Sequence, residues 1–122
     1  MKKILIIEDE ASLQKTLGDI LQTEGFEVVA AIDGEIGLKM AKAQKFDLIL
    51  LDLVLPKVLG LEVLAKLKQD PETMNVSVII LTNSEEVQSV EKALEMGANA
   101  YLIKSNYSLI EVVGKVKKAL GV

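Results

Sequence analysis

The sequence has 122 residues, of which 50% are hydrophobic and only 3% aromatic. This length suits one domain, predicted over residues 1–122, with an aliphatic core. A net charge of −4 argues against general nucleic-acid affinity, and the absence of Cys and His excludes disulfides, thiolate chemistry and histidine ligands or bases. Because Met1, Lys2 and Lys3 precede only four apolar residues, we predict neither a signal peptide nor a membrane span, and we expect a cytoplasmic protein.

Apolar runs alternate with helical patterns along the first half of the chain. The first run is Ile4 to Ile7, and Gly25 is predicted to end the helix that follows it. The second run is Val28 to Ile32, after which Asp33-Gly34 opens a second helix. The third run is Leu48 to Leu51. These runs are the predicted strands.

The second half repeats the alternation. A third helix is predicted to end at Asp70-Pro71, because proline disfavours a helical residue before it. The fourth run is Val76 to Leu81, and Gly97 lies at the end of the fourth helix. The fifth run, Ala100 to Ile103, precedes a last helix over Leu109 to Leu120. The continuously apolar central runs favour a parallel sheet covered by helices on both faces, which is a (βα)5 three-layer sandwich of the α/β class.

Polar side chains follow the ends of four of the predicted strands. Glu8 and Asp9 close the first, Asp52 the third, Thr82 the fourth and Lys104 the fifth. The carboxyl ends of parallel strands meet at one edge of the sheet, where open α/β sheets bind their ligands. Three neighbouring carboxylates repel one another without a cation, and oxygen ligands in an acidic cleft favour Mg²⁺. The sequence therefore predicts a divalent-cation site that is suited to taking up a phosphoryl group.

Each of these residues also has a purely structural interpretation. Asp9 is suited to cap the first helix, and Thr82 with Glu85 has the spacing of a capping box. Taken singly, ordinary solvated charges are expected of Glu8, Asp52 and Lys104. The occurrence of all five side chains at the ends of four separate strands favours the functional interpretation.

The chain resembles the receiver domain of two-component response regulators over essentially its whole length. The stretches that carry the resemblance are Ile4-Leu5-Ile6-Ile7-Glu8-Asp9-Glu10, Leu50-Leu51-Asp52-Leu53-Val54-Leu55-Pro56, Gly60, Val78-Ile79-Ile80-Leu81-Thr82, Gly97-Ala98 and Ala100-Tyr101-Leu102-Ile103-Lys104. The resemblance implies a flavodoxin-like fold with a five-stranded parallel sheet in the order 2-1-3-4-5.

The resemblance also implies a metal site and a phosphoacceptor. Asp52 looks like the residue that accepts a phosphoryl group from a histidine kinase or a phosphotransfer protein. Mg²⁺ is the implied cofactor, and its implied ligands are the carboxylates of Glu8, Asp9 and Asp52 and the backbone carbonyl of Val54. Such a domain promotes its own phosphorylation and dephosphorylation but is not an enzyme for an outside substrate.

The remaining roles implied by the resemblance concern the response to phosphorylation. Thr82 and Lys104 look like the hydroxyl and the cation that contact the phosphoryl group. Tyr101 lies at the family's aromatic switch position, although a half-buried tyrosine with its hydroxyl in water is the alternative. The face formed by the fourth helix, fifth strand and fifth helix would then change its binding to an unknown downstream protein or output domain. A phosphorylation-dependent homodimer also remains open, whereas direct contact with nucleic acid or membrane is not expected.

The sequence departs from the family's pattern at several positions. Ser105 follows Lys104 where most receivers have proline, which leaves the family's cis peptide open. Asn83 stands where a small residue is usual and could narrow access to the site. Val54 and Ser84 are poorly suited to positioning a hydrolytic water, which predicts slow self-dephosphorylation.

Other functional classes make different demands on the sequence. A flavodoxin-like electron carrier needs a phosphate-binding loop after the first strand, where Glu8-Asp9-Glu10 would repel a phosphate. A phosphatase similar to the haloacid dehalogenase family needs a second Asp where this chain has Val54. The alternative that stays open is a degenerate receiver acting as a phosphorylation-independent binding module.

The last two helices carry several charged side chains, for which we predict either a solvated face or a dimer interface. These residues are Glu91, Lys92, Glu95, Glu111, Lys115, Lys117 and Lys118.

Overall fold

The computed structural model describes residues 1–122, in which five strands alternate with five α-helices. The strands are β1 (Lys3–Ile7), β2 (Glu27–Ala31), β3 (Leu48–Leu51), β4 (Ser77–Thr82) and β5 (Ala100–Ile103). The helices are α1 (Ala11–Thr23), α2 (Gly34–Ala43), α3 (Gly60–Gln69), α4 (Val87–Glu95) and α5 (Leu109–Leu120), and a 3₁₀ turn covers Lys104–Asn106. The predicted (βα)5 order is confirmed.

The five strands form one parallel sheet in the order β2-β1-β3-β4-β5, as predicted. The register pairs Ile7 at the end of β1 with both Ala31 of β2 and Leu51 of β3. Because these strands end level with one another, the residues that follow them emerge side by side at the carboxyl edge of the sheet.

Alternating side chains of the strands build two apolar layers, one on each face of the sheet. One layer packs Leu5, Ile7, Ile49, Leu51 and Ile80 against α2, α3 and α4. The other layer consists of the intervening strand residues packed against α1 and α5, and includes Ile4, Ile6, Leu48, Leu50, Leu17, Leu21, Val112 and Val116. Burying each such aliphatic side chain contributes about 1.5–3 kcal/mol. The two layers hold the sheet rigidly below its polar edge.

Strand β2 lies one residue earlier than predicted. The sequence favoured Val28 to Ile32, but the strand covers Glu27–Ala31 and Ile32 is 56% exposed. The pairing of Ala31 with Ile7 is the last rung between β1 and β2. The chain then turns into α2, whose N-cap side chain, Asp33, accepts a hydrogen bond from the Ile36 N–H.

Both helix-capping interpretations of the strand-end residues are wrong. Helix α1 begins after Glu10, so Asp9 lies one residue too early to cap it. Helix α4 begins after Glu86, and no side chain caps it, so Thr82 and Glu85 form no capping box. The loops after β1 and β4 are longer than the capping interpretations require, which leaves Asp9 and Thr82 available to the carboxyl edge of the sheet.

The predicted end of the third helix at Asp70-Pro71 is confirmed, since α3 runs to Gln69 with Asp70 as its C-cap. The start of α3 depends on Gly60, whose N–H donates to the Leu53 carbonyl. A Cβ at Gly60 would collide with the backbone of Asp52 and Leu53. This close approach packs the start of α3 directly against the end of β3.

None of the five helices is both long enough and apolar enough to cross a membrane.

Candidate functional site

The polar edge of the sheet is built where β1, β3, β4 and β5 end. The Asp52 N–H donates to the Ile7 carbonyl at 3.0 Å, which extends the β1–β3 ladder by one residue. The Glu8 N–H donates to the Ala31 carbonyl at 3.0 Å on the other side of β1. Glu8 and Asp52 are thus fixed by backbone hydrogen bonds on neighbouring strands, and both are buried.

Three carboxylates converge at this edge. Glu8, Asp9 and Asp52 each offer one oxygen atom, and these atoms lie within 4.8 Å of one another. Asp9 is exposed, so the cluster opens to solvent on its side. Three hard oxygen donors on this scale fit a divalent cation such as Mg²⁺, which binds through a few carboxylates and keeps several waters. The sequence-predicted acids are therefore brought together in one place.

Lys104 lies between two of these acids. Its Nζ is 2.8 Å from Glu8 Oε1 and 3.0 Å from Asp52 Oδ2, and only 14% of its side chain is exposed. Burial acts to lower the pKa of Lys104, but the hydrogen bonds and charges of Glu8 and Asp52 outweigh it and raise the pKa above its ordinary value. The interpretation of Lys104 as an isolated surface lysine is therefore wrong.

The two buried acids differ in their surroundings. Burial raises the pKa of Glu8 above its ordinary value, against the opposing hydrogen bonds from Lys104 and from the Glu10 N–H. Asp52 accepts a hydrogen bond at Oδ1 from the Val54 N–H at 3.1 Å and one at Oδ2 from Lys104. Both oxygens of Asp52 are consequently held in place, which fixes the orientation of the carboxylate.

Thr82 and Tyr101 lie on the adjoining strands. Thr82 is fully buried at the end of β4, and its hydroxyl accepts a long hydrogen bond of 3.4 Å from the Ser84 N–H. The Tyr101 hydroxyl donates to the Ser84 carbonyl at 2.9 Å, so it is not bonded to water alone, as the structural alternative assumed. Burial raises the pKa of Tyr101 above its ordinary value. The loop after β4 thus contacts both the threonine and the tyrosine.

The acids open into a cleft that also includes two of the departures from the family pattern, Val54 and Asn83. Its lining consists of Glu8, Asp9, Glu10, Asp52, Val54, Thr82, Asn83 and Lys104. Val54 is 65% exposed and Asn83 is exposed, so both side chains face solvent. All peptide bonds are trans, including the one between Lys104 and Ser105.

The charges of the last two helices are divided between local pairs and solvent. Lys117 pairs at 2.7 Å with Glu24, the C-cap residue of α1, and Glu111 forms a capping box with Ser108. The Lys115 ammonium lies 6.0 Å from the centre of the Tyr107 ring. Glu91, Lys92, Glu95 and Lys118 are exposed.

Sequence reasoning missed one residue that contacts the site. The Gln14 side chain donates hydrogen bonds to the backbone carbonyls of Glu8 and Ala31, at 3.0 Å and 3.1 Å. A signal was available, because position 14 shares the apolar stripe of α1 with Leu17 and Leu21. A polar residue on that stripe indicates a partner inside the fold.

Comparison with known proteins gives a consistent family. The family model described as the response regulator receiver domain matches residues 4–115. The chain is 40% identical over 119 residues to the alkaline phosphatase synthesis transcriptional regulatory protein PhoP of Bacillus subtilis (strain 168), covering 98% of this chain but 48% of that protein. The chain therefore spans about half the length of the regulators of this kind that it matches.

Solved structures show the same similarity over nearly the whole chain. A CheY-like response regulator receiver domain protein from Methanospirillum hungatei JF-1 is 29% identical, with a TM-score of 0.93, over 99% of this chain and 94% of that one. The response regulator TrrA of Thermotoga maritima, solved in complex with Mg(2+)-BeF, is 33% identical, with a TM-score of 0.86, over 98% of this chain and 100% of that one.

Proposed function

The chain belongs to the response regulator receiver family, and from that premise we propose that it is a signalling switch in which Asp52 accepts a phosphoryl group. The proposed donor is a histidine kinase or a phosphotransfer protein in the cytoplasm. The observation that carries the proposal is the position of the Asp52 carboxylate, which lies beside two further acids and 3.0 Å from the Lys104 ammonium. The proposed receiver domain covers residues 1–122.

Asp52 is arranged as a nucleophile. Its Oδ1 is held by the Val54 N–H and its Oδ2 by Lys104. In the proposed reaction a carboxylate oxygen attacks phosphorus as the phosphorus–nitrogen bond of a donor phosphohistidine breaks and the imidazole leaves. Lys104 offsets the charge that is spread over the phosphoryl oxygens during transfer. No outside substrate is turned over, so the activity is that of a switch.

The acids around Asp52 are the proposed Mg²⁺ ligands. Glu8, Asp9, Asp52 and the backbone carbonyl of Val54 would hold the ion, and the convergence of the three carboxylates within 4.8 Å supports this assignment. When bound, Mg²⁺ supplies positive charge that offsets both the carboxylates and the incoming phosphoryl group. Lys104 would then exchange its contact with Glu8 for a contact with the phosphoryl group.

The proposed response begins at Thr82 and Tyr101. An aspartyl phosphate carries about −1.5 to −2 charge and strong acceptor oxygens, by analogy with other phosphorylated side chains. The Thr82 hydroxyl would turn from Ser84 toward this group, and the loss of that contact would release the Tyr101 hydroxyl, which now bonds the Ser84 carbonyl. The α4-β5-α5 face would change as a result and alter binding to a downstream protein, an output domain or a second copy.

Residue composition around the cleft supports a long phosphoryl lifetime. Val54 presents an apolar side chain to the cleft, and the short, uncharged Ser84 lies beside Thr82. Neither residue is suited to orient a water molecule for attack on phosphorus. The net charge of −4 supports the proposal that this domain makes no direct contact with nucleic acid.

Intact-mass spectrometry tests the proposal. The protein is incubated with a small-molecule phosphodonor, with and without Mg²⁺, beside an Asp52→Asn control. We expect one phosphoryl adduct on the wild type that requires Mg²⁺ and is absent from the control. An adduct of equal size on Asp52→Asn would reject Asp52 as the acceptor. No adduct either from the small donor or from a histidine kinase would favour a phosphorylation-independent binding module.

A further inference from the structure

The Gln14 amide lies at the point where β1 and β2 separate. Ile7 and Ala31 form the last backbone pair between these strands, and the Glu8 N–H donates to the Ala31 carbonyl at 3.0 Å. Gln14 Nε2 then donates to the same Ala31 carbonyl at 3.1 Å and to the Glu8 carbonyl at 3.0 Å. One side chain from α1 therefore adds a further rung to the ladder, beyond the last rung that the backbone provides.

The Glu8 carbonyl belongs to the peptide that joins two candidate metal ligands. Fixing this peptide fixes the Cα atoms of both Glu8 and Asp9, and with them the origins of two of the three carboxylates. The Glu8 side chain is held separately, by the Glu10 N–H at 3.0 Å and by Lys104 at 2.8 Å. Asp9 is exposed and has no comparable side-chain restraint. Its position relative to Glu8 therefore depends on the backbone that Gln14 holds.

We propose that Gln14 is a positioning residue for the metal site, and this inference rests on the proposed function. Adjacent carboxylates repel one another, so an unrestrained backbone would let Glu8 and Asp9 move apart and would lower the affinity for a divalent cation. Removing a group that orients a metal ligand through a hydrogen bond typically weakens metal binding about tenfold or more. Gln14 itself does not touch the ion or the phosphoryl group.

The alternative is that Gln14 only ties α1 to the sheet. The two roles separate in a comparison of Gln14→Met with Gln22→Met. Gln22 lies on the same helix and is exposed, and its side chain makes no hydrogen bond. Methionine keeps the length of the side chain and the helix propensity but removes the donor. A purely structural tie would change the free energy of unfolding and leave the metal affinity of the folded protein unchanged.

The experiment measures Mg²⁺ affinity by calorimetry on the folded proteins, together with the Mg²⁺ dependence of phosphorylation from a small phosphodonor. For Gln14→Met we expect the Kd for Mg²⁺ and the half-saturating Mg²⁺ concentration to rise about tenfold. The phosphorylation rate at saturating Mg²⁺ should return to near that of the wild type, because Asp52 and Lys104 are intact. In the metal-free protein, NMR should show faster amide exchange for Glu8 and Glu10 in Gln14→Met than in Gln22→Met.

Two results would decide against the inference: unchanged Mg²⁺ affinity in Gln14→Met, and no Mg²⁺ binding by the wild type. Equal Mg²⁺ affinity for Gln14→Met and Gln22→Met, with a loss of stability in the former alone, would leave Gln14 a purely structural tie. If Gln14→Met does not fold, Gln14→Asn replaces it, because the asparagine amide is one methylene too short to reach both carbonyls. The same tenfold rise in the Kd for Mg²⁺ is then expected. If the wild type itself binds no Mg²⁺, the proposed function fails first, and that result is distinct from any difference between the variants.

Discussion

Replacing Lys104 with methionine leaves two buried carboxylates without the cation they share. Lys104 Nζ lies 2.8 Å from Glu8 and 3.0 Å from Asp52, and the two acidic side chains are only 4% and 6% exposed. Removing one partner of a buried ion pair costs about 3–5 kcal/mol. For Lys104→Met we expect the free energy of unfolding to fall by about 3 kcal/mol, near the lower end of this range, because Glu8 can take up a proton when its charge is unpaired.

Mg²⁺ should narrow the difference in the free energy of unfolding between the wild type and Lys104→Met. A ligand present at 100 times its Kd stabilises the folded state by about 2.7 kcal/mol. In the wild type, Mg²⁺ binding has to displace the Lys104 ammonium from Glu8, which offsets part of this stabilisation, whereas Lys104→Met has no ammonium to displace. Saturating Mg²⁺ should therefore raise the free energy of unfolding more in the variant than in the wild type.

Urea unfolding followed by far-UV circular dichroism measures both effects. Lys92→Met is the matched control, because Lys92 is exposed on α4 and forms no salt bridge. A loss for Lys104→Met below about 1 kcal/mol, the range of exposed ion pairs, would refute the reasoning. If Mg²⁺ raised the free energy of unfolding equally in the wild type and in Lys104→Met, the lysine and the metal would not compete for Glu8.

Three further outcomes are expected. Gly60→Ala should lower the free energy of unfolding by about 3 kcal/mol, because the added Cβ would collide with backbone atoms. Gly114→Ala, on the open surface of α5, should raise it by about 0.5–1 kcal/mol. Urea unfolding measures both variants, and equal effects would contradict the close packing at Gly60. The hydrogen bond from the Ser108 N–H lowers the pKa of Glu111 below its ordinary 4.5, so the stability that Glu111 adds is present above pH 4.5 and is lost as pH falls below it. The stability gap between wild type and Glu111→Gln should accordingly close on acidification, and a gap that widens would be the contrary result. Val54→Asn should shorten the phosphoryl lifetime, measured by the decay of the adduct mass; a shorter lifetime in the wild type would count against slow self-dephosphorylation.

The strands were predictable because each depends on a local apolar pattern, whereas their order in the sheet was implied only by the resemblance to the receiver family. Continuously apolar runs such as Leu48 to Leu51 are buried on both faces of the sheet, and such runs occur mainly in parallel sheets. The one-residue error at β2 arose because Ile32 is apolar but exposed. At that point the turn into α2, capped by Asp33, ends the strand before the apolar pattern ends.

The candidate site was predictable as a set of residues but not as a set of contacts. Strand ends place Glu8, Asp52 and Lys104 at one edge, yet no local pattern shows that the lysine bridges both acids. The capping interpretations of Asp9 and Thr82 were wrong because α1 and α4 begin only after Glu10 and Glu86, later in the chain than those interpretations required.

Some contacts of the site depend wholly on tertiary packing. The bond between the Tyr101 hydroxyl and the Ser84 carbonyl joins residues 17 positions apart, and its geometry depends on the path of the loop after β4. The contact of Gln14 with the Ala31 carbonyl likewise spans 17 positions. Sequence reasoning reaches such contacts only through a polar residue on an apolar stripe, and Gln14 is the example here.

The most direct test of the central claim is to locate the phosphoryl group after reaction with a phosphodonor and Mg²⁺. Borohydride reduces an aspartyl phosphate to homoserine, and peptide mass spectrometry then identifies the modified position. We predict homoserine at position 52 alone, with none when Mg²⁺ is withheld. Modification at Asp9, or an adduct that resists borohydride and maps to no acidic residue, would contradict the account of Asp52 as the phosphoacceptor.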